Sequence, residues 1–124
     1  MTVKTFKAKS PLGYVVSCTE ESWTHIITHG HDMMQKNDIA IKDAIEDPIC
    51  IYKSAAYPEQ RDVFFGRSKS ATYGDKFVTK VVVDRPNECN DEGEIVSAWP
   101  QKDISGGLQK DGLRYINRKL GQKT

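Results

Sequence analysis

The sequence predicts an α+β domain, with N-terminal helices packed on one face of an antiparallel β-sheet of about four strands. Two stretches with helical spacing of apolar residues lie early in the chain, at 20–29 and 39–46. From residue 49 to residue 99 the chain is a succession of short β-rich runs separated by polar loops. Elements separated in this way are typical of helices that cover one side of a meander of strands.

The length and composition indicate one domain over residues 1–124. The 124 residues are 38% hydrophobic and 28% charged, which suits a chain that buries a single core. The longest apolar runs are too short to cross a bilayer, and the N-terminus lacks the apolar segment of a signal peptide. We therefore expect a protein that does not insert into a membrane.

Cysteine usage argues against a metal knuckle and against a disulfide framework. The three cysteines, Cys18, Cys50 and Cys89, are odd in number, far apart, and never in a CxxC pair. This pattern fits neither a zinc knuckle nor a thioredoxin-like motif. We expect free thiols in a reducing cytoplasm.

The net charge of +1 conceals a segregation of charge along the chain. Residues 49–80 hold six Lys or Arg against three Asp or Glu, a net +3, and residues 100–124 hold six against two, a net +4. If the two basic segments come together, they form a surface that attracts anions such as RNA. Dispersed, solvated lysines are an equally good interpretation of the charge alone.

The chain opens with β-rich sequence. Polar and apolar residues alternate over 3–8, a turn follows at 10–13, and 14–18 is rich in β-forming residues. We predict two short strands or one bent strand here.

A first helix is predicted to start after Thr19, a good N-cap that is followed by two acidic residues in the first turn. Trp23, Ile26 and Ile27 lie at helical spacing and form its buried stripe. Gly30 is expected to end it.

A second helix is predicted at 39–46, capped by Asn37-Asp38 and stopped by Asp47-Pro48, since the residue before proline avoids the helical region. The runs that we predict as strands then follow in order at 49–52, 61–67, 76–84 and 94–99.

The tail of the chain has a helical pattern as well. Leu113, Ile116 and Leu120 are apolar at helical spacing, and Arg114 and Arg118 fall between them. This pattern predicts a basic amphipathic helix over 111–120.

All three histidines lie within residues 25–31, on or just after the first predicted helix. Histidine can give and take a proton near neutral pH, so a cluster of three suggests a site. His25 and His29 have the i, i+4 spacing of zinc ligands. The HEXXH motif is nevertheless absent, because no glutamate lies between them. We therefore predict a site without metal or cofactor.

Cleavage of RNA by acid–base transphosphorylation requires few groups. One side chain takes the 2′-hydroxyl proton, another protonates the leaving oxygen, and cations or hydroxyls stabilise the phosphorane. We predict the catalytic groups to be His25, His31, Ser97 and Lys80. The groups predicted to bind substrate are Arg61, Arg67, Thr72, Tyr73 and Lys102. Taken singly, each has an ordinary structural alternative, such as a solvent-facing arginine on a strand. Their combination favours a site.

Several motifs resemble the phage-associated branch of the barnase–EndoU–colicin–RelE-like ribonucleases. The run TEESWTHI at 19–26 and the pair Gly30-His31 resemble the opening motif of that branch, and IVSAW at 95–99 resembles its last strand. The similarity extends over residues 10–105. His25 and His31 match the two motif histidines, and Ser97 stands where the family has threonine. Because the histidine spacing is one residue longer than the family pattern, His29 is the alternative to His31. Trp99 replaces a tyrosine and lacks its hydroxyl.

The resemblance implies a small toxin or effector domain with the family's sheet architecture that cleaves RNA without metal. It further implies transfer RNA as one expected substrate, action in the cytoplasm of a target cell after delivery as part of a secreted effector, and a cognate immunity protein or antitoxin as partner. Two alternatives stay open. The first is a non-catalytic RNA- or protein-binding module of the same fold. The second is a phage protein of unrelated function with a coincidental Trp-His-Ile helix.

Overall fold

One seven-stranded sheet forms most of the described chain. The computed structural model describes residues 5–28, 32–68, 71–74 and 76–117. The strands are β1 Phe6–Lys9, β2 Val15–Cys18, β3 Cys50–Ser54, β4 Arg61–Arg67, β5 Val78–Asp84, β6 Gly93–Gln101 and β7 Leu108–Ile116. The helices are α1 Glu20–Thr28 and α2 Asp38–Glu46, with a short 3-10 helix at Asp32–Lys36 between them. Both predicted helices and the predicted strands are confirmed as elements, with two strands at the N-terminus.

The predicted architecture, helices on an antiparallel sheet of about four strands, is wrong. The strand order is β1-β2-β6-β5-β4-β3-β7, and the sheet is mixed because β2 pairs with β6 in parallel. The meander β3–β6 supplies the antiparallel centre. The N-terminal hairpin and the C-terminal segment extend it on opposite sides, and neither pairing is visible in local sequence patterns.

The tail prediction is also wrong where the structure describes it, since residues 108–116 form strand β7 instead of a helix. Ile116 pairs with Cys50 and Leu113 with Tyr52 across an irregular register. Asp111 has a φ of 61°, outside the helical region, and Gly112 follows it. The i, i+3 spacing of Leu113 and Ile116 is produced by a strand irregularity, not by helical periodicity. Residues 118–120 lie outside the described residues.

The helices cover one face of the sheet and enclose the main core with it. Phe64, Val81 and Ala98 lie side by side on three neighbouring strands and are fully buried. The largest helical side chains packed against this face are Trp23, Ile26, Ile41 and Ile45. A Cβ on Gly66 of β4 would lie 2.5 Å from the Cα and Cβ atoms of Ala44 in α2. Glycine is therefore required for α2 to sit this close to the sheet.

The other face is crossed by a connection that we call the strap, residues 102–107. It joins β6 to β7, which run in the same direction but are separated in the sheet by β5, β4 and β3. Parallel strands are normally joined by a dozen or more residues. The strap is much shorter, so it passes directly over the sheet. The backbone N–H of Ala55 donates to the carbonyl of Gly107 at 2.7 Å and holds its far end.

We call the sheet surface beneath it the strap face. Side chains alternate along strands, so Phe65, Lys80 and Trp99 point away from the helix-covered core formed by their neighbours. Cys50, Val63 and Phe65 form a small second cluster on this face, with Leu108 at the end of the strap packed against it. No helix within the described residues is long and apolar enough to cross a membrane.

Candidate functional site

The strand register gathers four of the predicted site residues on the strap face. Arg61 and Arg67 lie at the two ends of β4, on the same side as Phe65. Lys80 stands opposite Phe65 and beside Trp99, and Ser97 stands opposite Val82. The strap face therefore combines cations, a hydroxyl group and partly buried aromatic rings on one surface.

Lys80 is the centre of this surface, and its ammonium group is covered by the strap. The residue is 5% exposed. Its Nζ donates to the carbonyl oxygens of Gly106 at 2.7 Å and Ser105 at 3.0 Å. The same Nζ lies 5.1 Å from the ring centroid of Trp99 and 5.7 Å from that of Phe65. Burial lowers the pKa of Lys80, because the interior disfavours the charged form.

The strap is held in shape by polar contacts centred on Gln101. The side-chain amide Nε2 of Gln101 donates to the backbone carbonyls of Asp103 at 2.8 Å and Ser105 at 2.7 Å. Its Oε1 accepts from the indole Nε1 of Trp99 at 3.3 Å. Within the strap, the hydroxyl of Ser105 donates to the Asp103 carboxylate at 2.5 Å. Gln101, the last residue of β6, thus links the strap to the strand that carries Ser97.

The two arginines make ion pairs with neighbouring carboxylates. Arg61 Nε donates to Asp84 Oδ1 at 2.7 Å, and its guanidinium lies 4.6 Å above the centroid of the Tyr57 ring. Arg67 is 3.3 Å from Asp47, with both side chains largely exposed. Exposed pairs of this kind are worth about 0–1 kcal/mol. The Arg67 guanidinium can therefore exchange its partner for another anion at little cost.

Charge is distributed unevenly along the sheet. Arg67, Val78 and Gln101 are register neighbours, so the end of β4, the start of β5 and the end of β6 meet at one end of the sheet. The exposed cations at this basic end are Arg67, Lys76 and Lys102. At the opposite end Asp84 stands beside Glu94. Asp47 pairs with Arg67 and Asp103 follows Lys102 at the basic end, and Arg61 pairs with Asp84 at the opposite end. The basic end therefore has only a small excess of positive charge for attracting an anion.

His25 lies exposed on α1 and lines a shallow pocket of about 260 Å³. Glu21, Asp84 and Glu94 line the same pocket. Neither Ser97 nor Lys80 lines it, so the structure does not bring those predicted catalytic groups into the pocket with His25. His29 and His31 lie outside the described residues, and their predicted role stays a prediction.

Thr72 and Tyr73, predicted to bind substrate, brace the loop before β5. The Thr72 backbone N–H donates to Asn37 Oδ1 at 2.8 Å, and Asn37 Nδ2 donates to Thr72 Oγ1 at 2.8 Å. Asn37 was predicted to cap α2, but its side chain makes no cap hydrogen bond. The Tyr73 hydroxyl and Thr79 Oγ1 are 2.6 Å apart. Burial raises the pKa of Tyr73. Both hydroxyl groups are thus already engaged within the protein.

A buried carboxylate that sequence reasoning missed lies on the helix-covered side of β4. Asp62 is 0% exposed and accepts hydrogen bonds from Tyr14, Arg85 and Arg114. Burial, with Asp62 adding to it, raises the pKa of Tyr14 far above its usual value. An acidic residue directly before the apolar run Val63-Phe64-Phe65 was the available signal, because a lone carboxylate in a buried strand requires cationic partners.

Among the residues within the described ranges, no group of three or more His, Cys, Asp or Glu is arranged to hold a metal ion. Searches with family models, curated proteins and solved structures found no match to this chain. The resemblance to the ribonuclease family therefore stays a prediction.

Proposed function

We propose that this chain is an RNA-binding module that holds single-stranded RNA across the strap face. The observation that carries the proposal is the common placement of Arg67, Lys80 and Trp99 on one sheet face, next to the exposed cations of the basic end. A sheet face with cations and aromatic rings suits a single strand, since the phosphates meet positive charge while bases stack on the rings.

Single strands fit this surface better than duplexes do. Tyr52 and Trp99 are partly buried on the strap face, and ring stacking requires a base whose face is free. In a duplex the base faces are already stacked on each other, so these rings would contribute nothing. A single strand can place its phosphates near Arg67 and Lys102 while a base reaches the indole.

The test is binding of a 2′-O-methyl oligonucleotide of about ten residues, which cannot be cleaved through its 2′ position, over a range of salt concentrations. Binding should weaken steeply with salt because each neutralised phosphate releases counterions. Arg67→Gln and Lys102→Gln should each flatten the slope of log K against log salt by about one unit. Lys42→Gln is the matched control, since Lys42 is an exposed lysine on α2. Equal effects of Lys42→Gln and Arg67→Gln would contradict the proposal.

The second candidate is the metal-independent endoribonuclease, favoured by the placement of His25 in a pocket with Glu94. A histidine and a carboxylate can act as acid and base in transphosphorylation. This candidate ranks second because three acidic residues line the pocket and oppose an RNA phosphate. In this form the protein is a toxin acting on RNA in the cytoplasm of a target cell, with an immunity protein or antitoxin as partner.

RNA cleavage in excess EDTA, with 2′,3′-cyclic phosphate ends, is the expected signature of that activity. His25→Ala should lower the rate by about 10²–10⁴-fold if His25 transfers a proton in the rate-limiting step. Thr24→Ala, at the neighbouring exposed position of α1, is the control. Binding without cleavage by the wild type would leave the non-catalytic module as the function.

A further inference from the structure

Within the described part of the chain, the Lys80 ammonium lies beneath the strap without an anionic partner. Its described hydrogen-bond acceptors are the two strap carbonyls and, at 3.5 Å, the amide oxygen of Gln101. Among the residues that the structure describes, none forms an ion pair with Lys80. A buried cation is normally paired with an anion, because neutral acceptors compensate only part of its desolvation.

The strap that covers this cation is held mainly by polar contacts. All its residues are exposed, including Ile104, which is 38% exposed and so contributes little apolar burial. Gly106 and Gly107 have φ values of 86° and 68°, a conformation that glycine adopts without strain. Segments with few buried apolar contacts open at a lower free energy than the core does.

We propose that the strap is a built-in occupant of a phosphate site, and that single-stranded RNA displaces the strap from Lys80. The Ser105 and Gly106 carbonyl oxygens stand where phosphate oxygens bind, and the Trp99 ring beside the ammonium stacks the adjoining base. This inference rests on the proposed RNA-binding function and names the contact at its centre. A phosphate is the better partner, since hydrogen bonds between two charged groups are stronger than those to neutral carbonyls.

A displaced strap makes a specific prediction about affinity. If RNA binds the open state, the closed strap lowers the apparent affinity by the fraction of molecules that are open. Loosening the strap should therefore tighten RNA binding, whereas removing the ammonium should weaken it. If residues 103–107 of the strap were part of the binding surface, as Lys102 is in the proposed function, loosening the strap would weaken RNA binding instead.

Two substitutions loosen the strap without removing the ammonium. Ser105→Ala removes the hydroxyl that donates to Asp103 and keeps the Ser105 carbonyl. Gly106→Ala places a Cβ 3.0 Å from Lys80 Nζ on a backbone of positive φ. Gly107→Ala is its matched control, because it has the same sign of φ with no atom within 4 Å of the added Cβ. Lys80→Met removes the charge and keeps an apolar stem between the two rings.

The experiment measures binding of the 2′-O-methyl oligonucleotide, with hydrogen exchange of the Ala55 backbone amide, which donates to Gly107 of the closed strap, as the readout of strap opening. In Ser105→Ala and Gly106→Ala, amide exchange should be faster and RNA should bind about fivefold to tenfold tighter. The gain in RNA affinity should be larger for Gly106→Ala than for Gly107→Ala. Lys80→Met should bind at least tenfold more weakly. RNA should shift the indole N–H resonance of Trp99 and leave that of Trp23, which is fully buried in the main core, unchanged.

The outcomes separate this inference from the function on which it rests. If the wild type binds with the expected salt slope but the loosened variants bind no tighter, the strap proposal is overturned and RNA binding stands. If loosened variants and Lys80→Met all weaken binding, residues 103–107 of the strap are part of the binding surface and the proposal is again overturned. If neither the wild type nor the loosened variants bind, both proposals fail.

Discussion

At the scale of single residues, burial decides what each ionisable side chain can do. Lys80 and Cys18 are both buried, at 5% and 2% exposure, yet the consequence differs with the charge of each group. Burial favours the neutral form, so it lowers the pKa of Lys80 and raises that of Cys18. The thiol of Cys18 is therefore unreactive at neutral pH, which matches a packing role next to α1.

The buried thiol predicts a loss of stability at alkaline pH. Burial, together with the nearby Asp38, raises the pKa of Cys18 from 9.0 to about 12. Above pH 9 the unfolded chain loses this proton while the folded chain retains it, so stability falls as pH rises. The free energy of unfolding between pH 9 and 11 should fall by about 2–3 kcal/mol more in the wild type than in Cys18→Ala.

Denaturant titrations at several pH values measure this difference in slope. Cys89→Ala is the control, because Cys89 is exposed. Its slope should match that of the wild type. A Cys18→Ala slope equal to that of the wild type would show that the thiol ionises equally in both states.

At the scale of elements, the close approach of α2 to β4 positions the strands that carry the strap face. Ala40, Ile41, Ala44 and Ile45 form the buried side of α2. The contact of Ala44 with Gly66 leaves no room for a side chain on β4 at that point. Arg67, the next residue, is thereby fixed at the basic end.

Gly66→Ala should lower the free energy of unfolding by about 1–3 kcal/mol, the usual cost of overpacking a core. The added Cβ would lie 2.5 Å from backbone and side-chain atoms of Ala44, so the helix must shift. Thermal unfolding measures the change. Arg67→Ala, at the adjacent exposed position, is the control and should change stability by no more than about 0.5 kcal/mol. Equal stabilities of Gly66→Ala and the wild type would refute this account of the contact.

At the scale of the whole molecule, Asp62 joins distant parts of the chain. Its carboxylate binds Tyr14 before β2, Arg85 after β5 and Arg114 on β7. Arg85 also donates to the carbonyl of Pro58 at 2.8 Å. The N-terminal hairpin and the edge strand β7 are thus connected to the centre of the sheet through one buried charge.

Asp62→Asn should destabilise the protein by about 3–5 kcal/mol, because it leaves two arginines without their buried counter-charge. Asp84→Asn is the matched control. This substitution breaks the ion pair between Arg61 and Asp84, whose side chains are 31% and 46% exposed. It should lower the free energy of unfolding by no more than about 1 kcal/mol. Chemical denaturation of the two variants gives the comparison. Similar losses in both would mean that burial does not determine the strength of these pairs.

Local sequence by itself determined the features whose causes lie within a few residues. Thr19 accepts the Ser22 backbone N–H at 3.1 Å, as an N-cap does, and the valine run of β5 forms a central strand. Local sequence patterns also place the residues of the strap face on strands. Their shared face, however, depends on the register between strands.

Tertiary structure decided the rest. The spacing of Leu113 and Ile116 suits a helix, but pairing with β3 makes their segment a strand, since long-range backbone hydrogen bonds outweigh a weak local preference. In the same way, Lys80 is an ordinary strand lysine in the sequence. It becomes a covered cation because the short connection between two parallel strands has to cross the sheet above it.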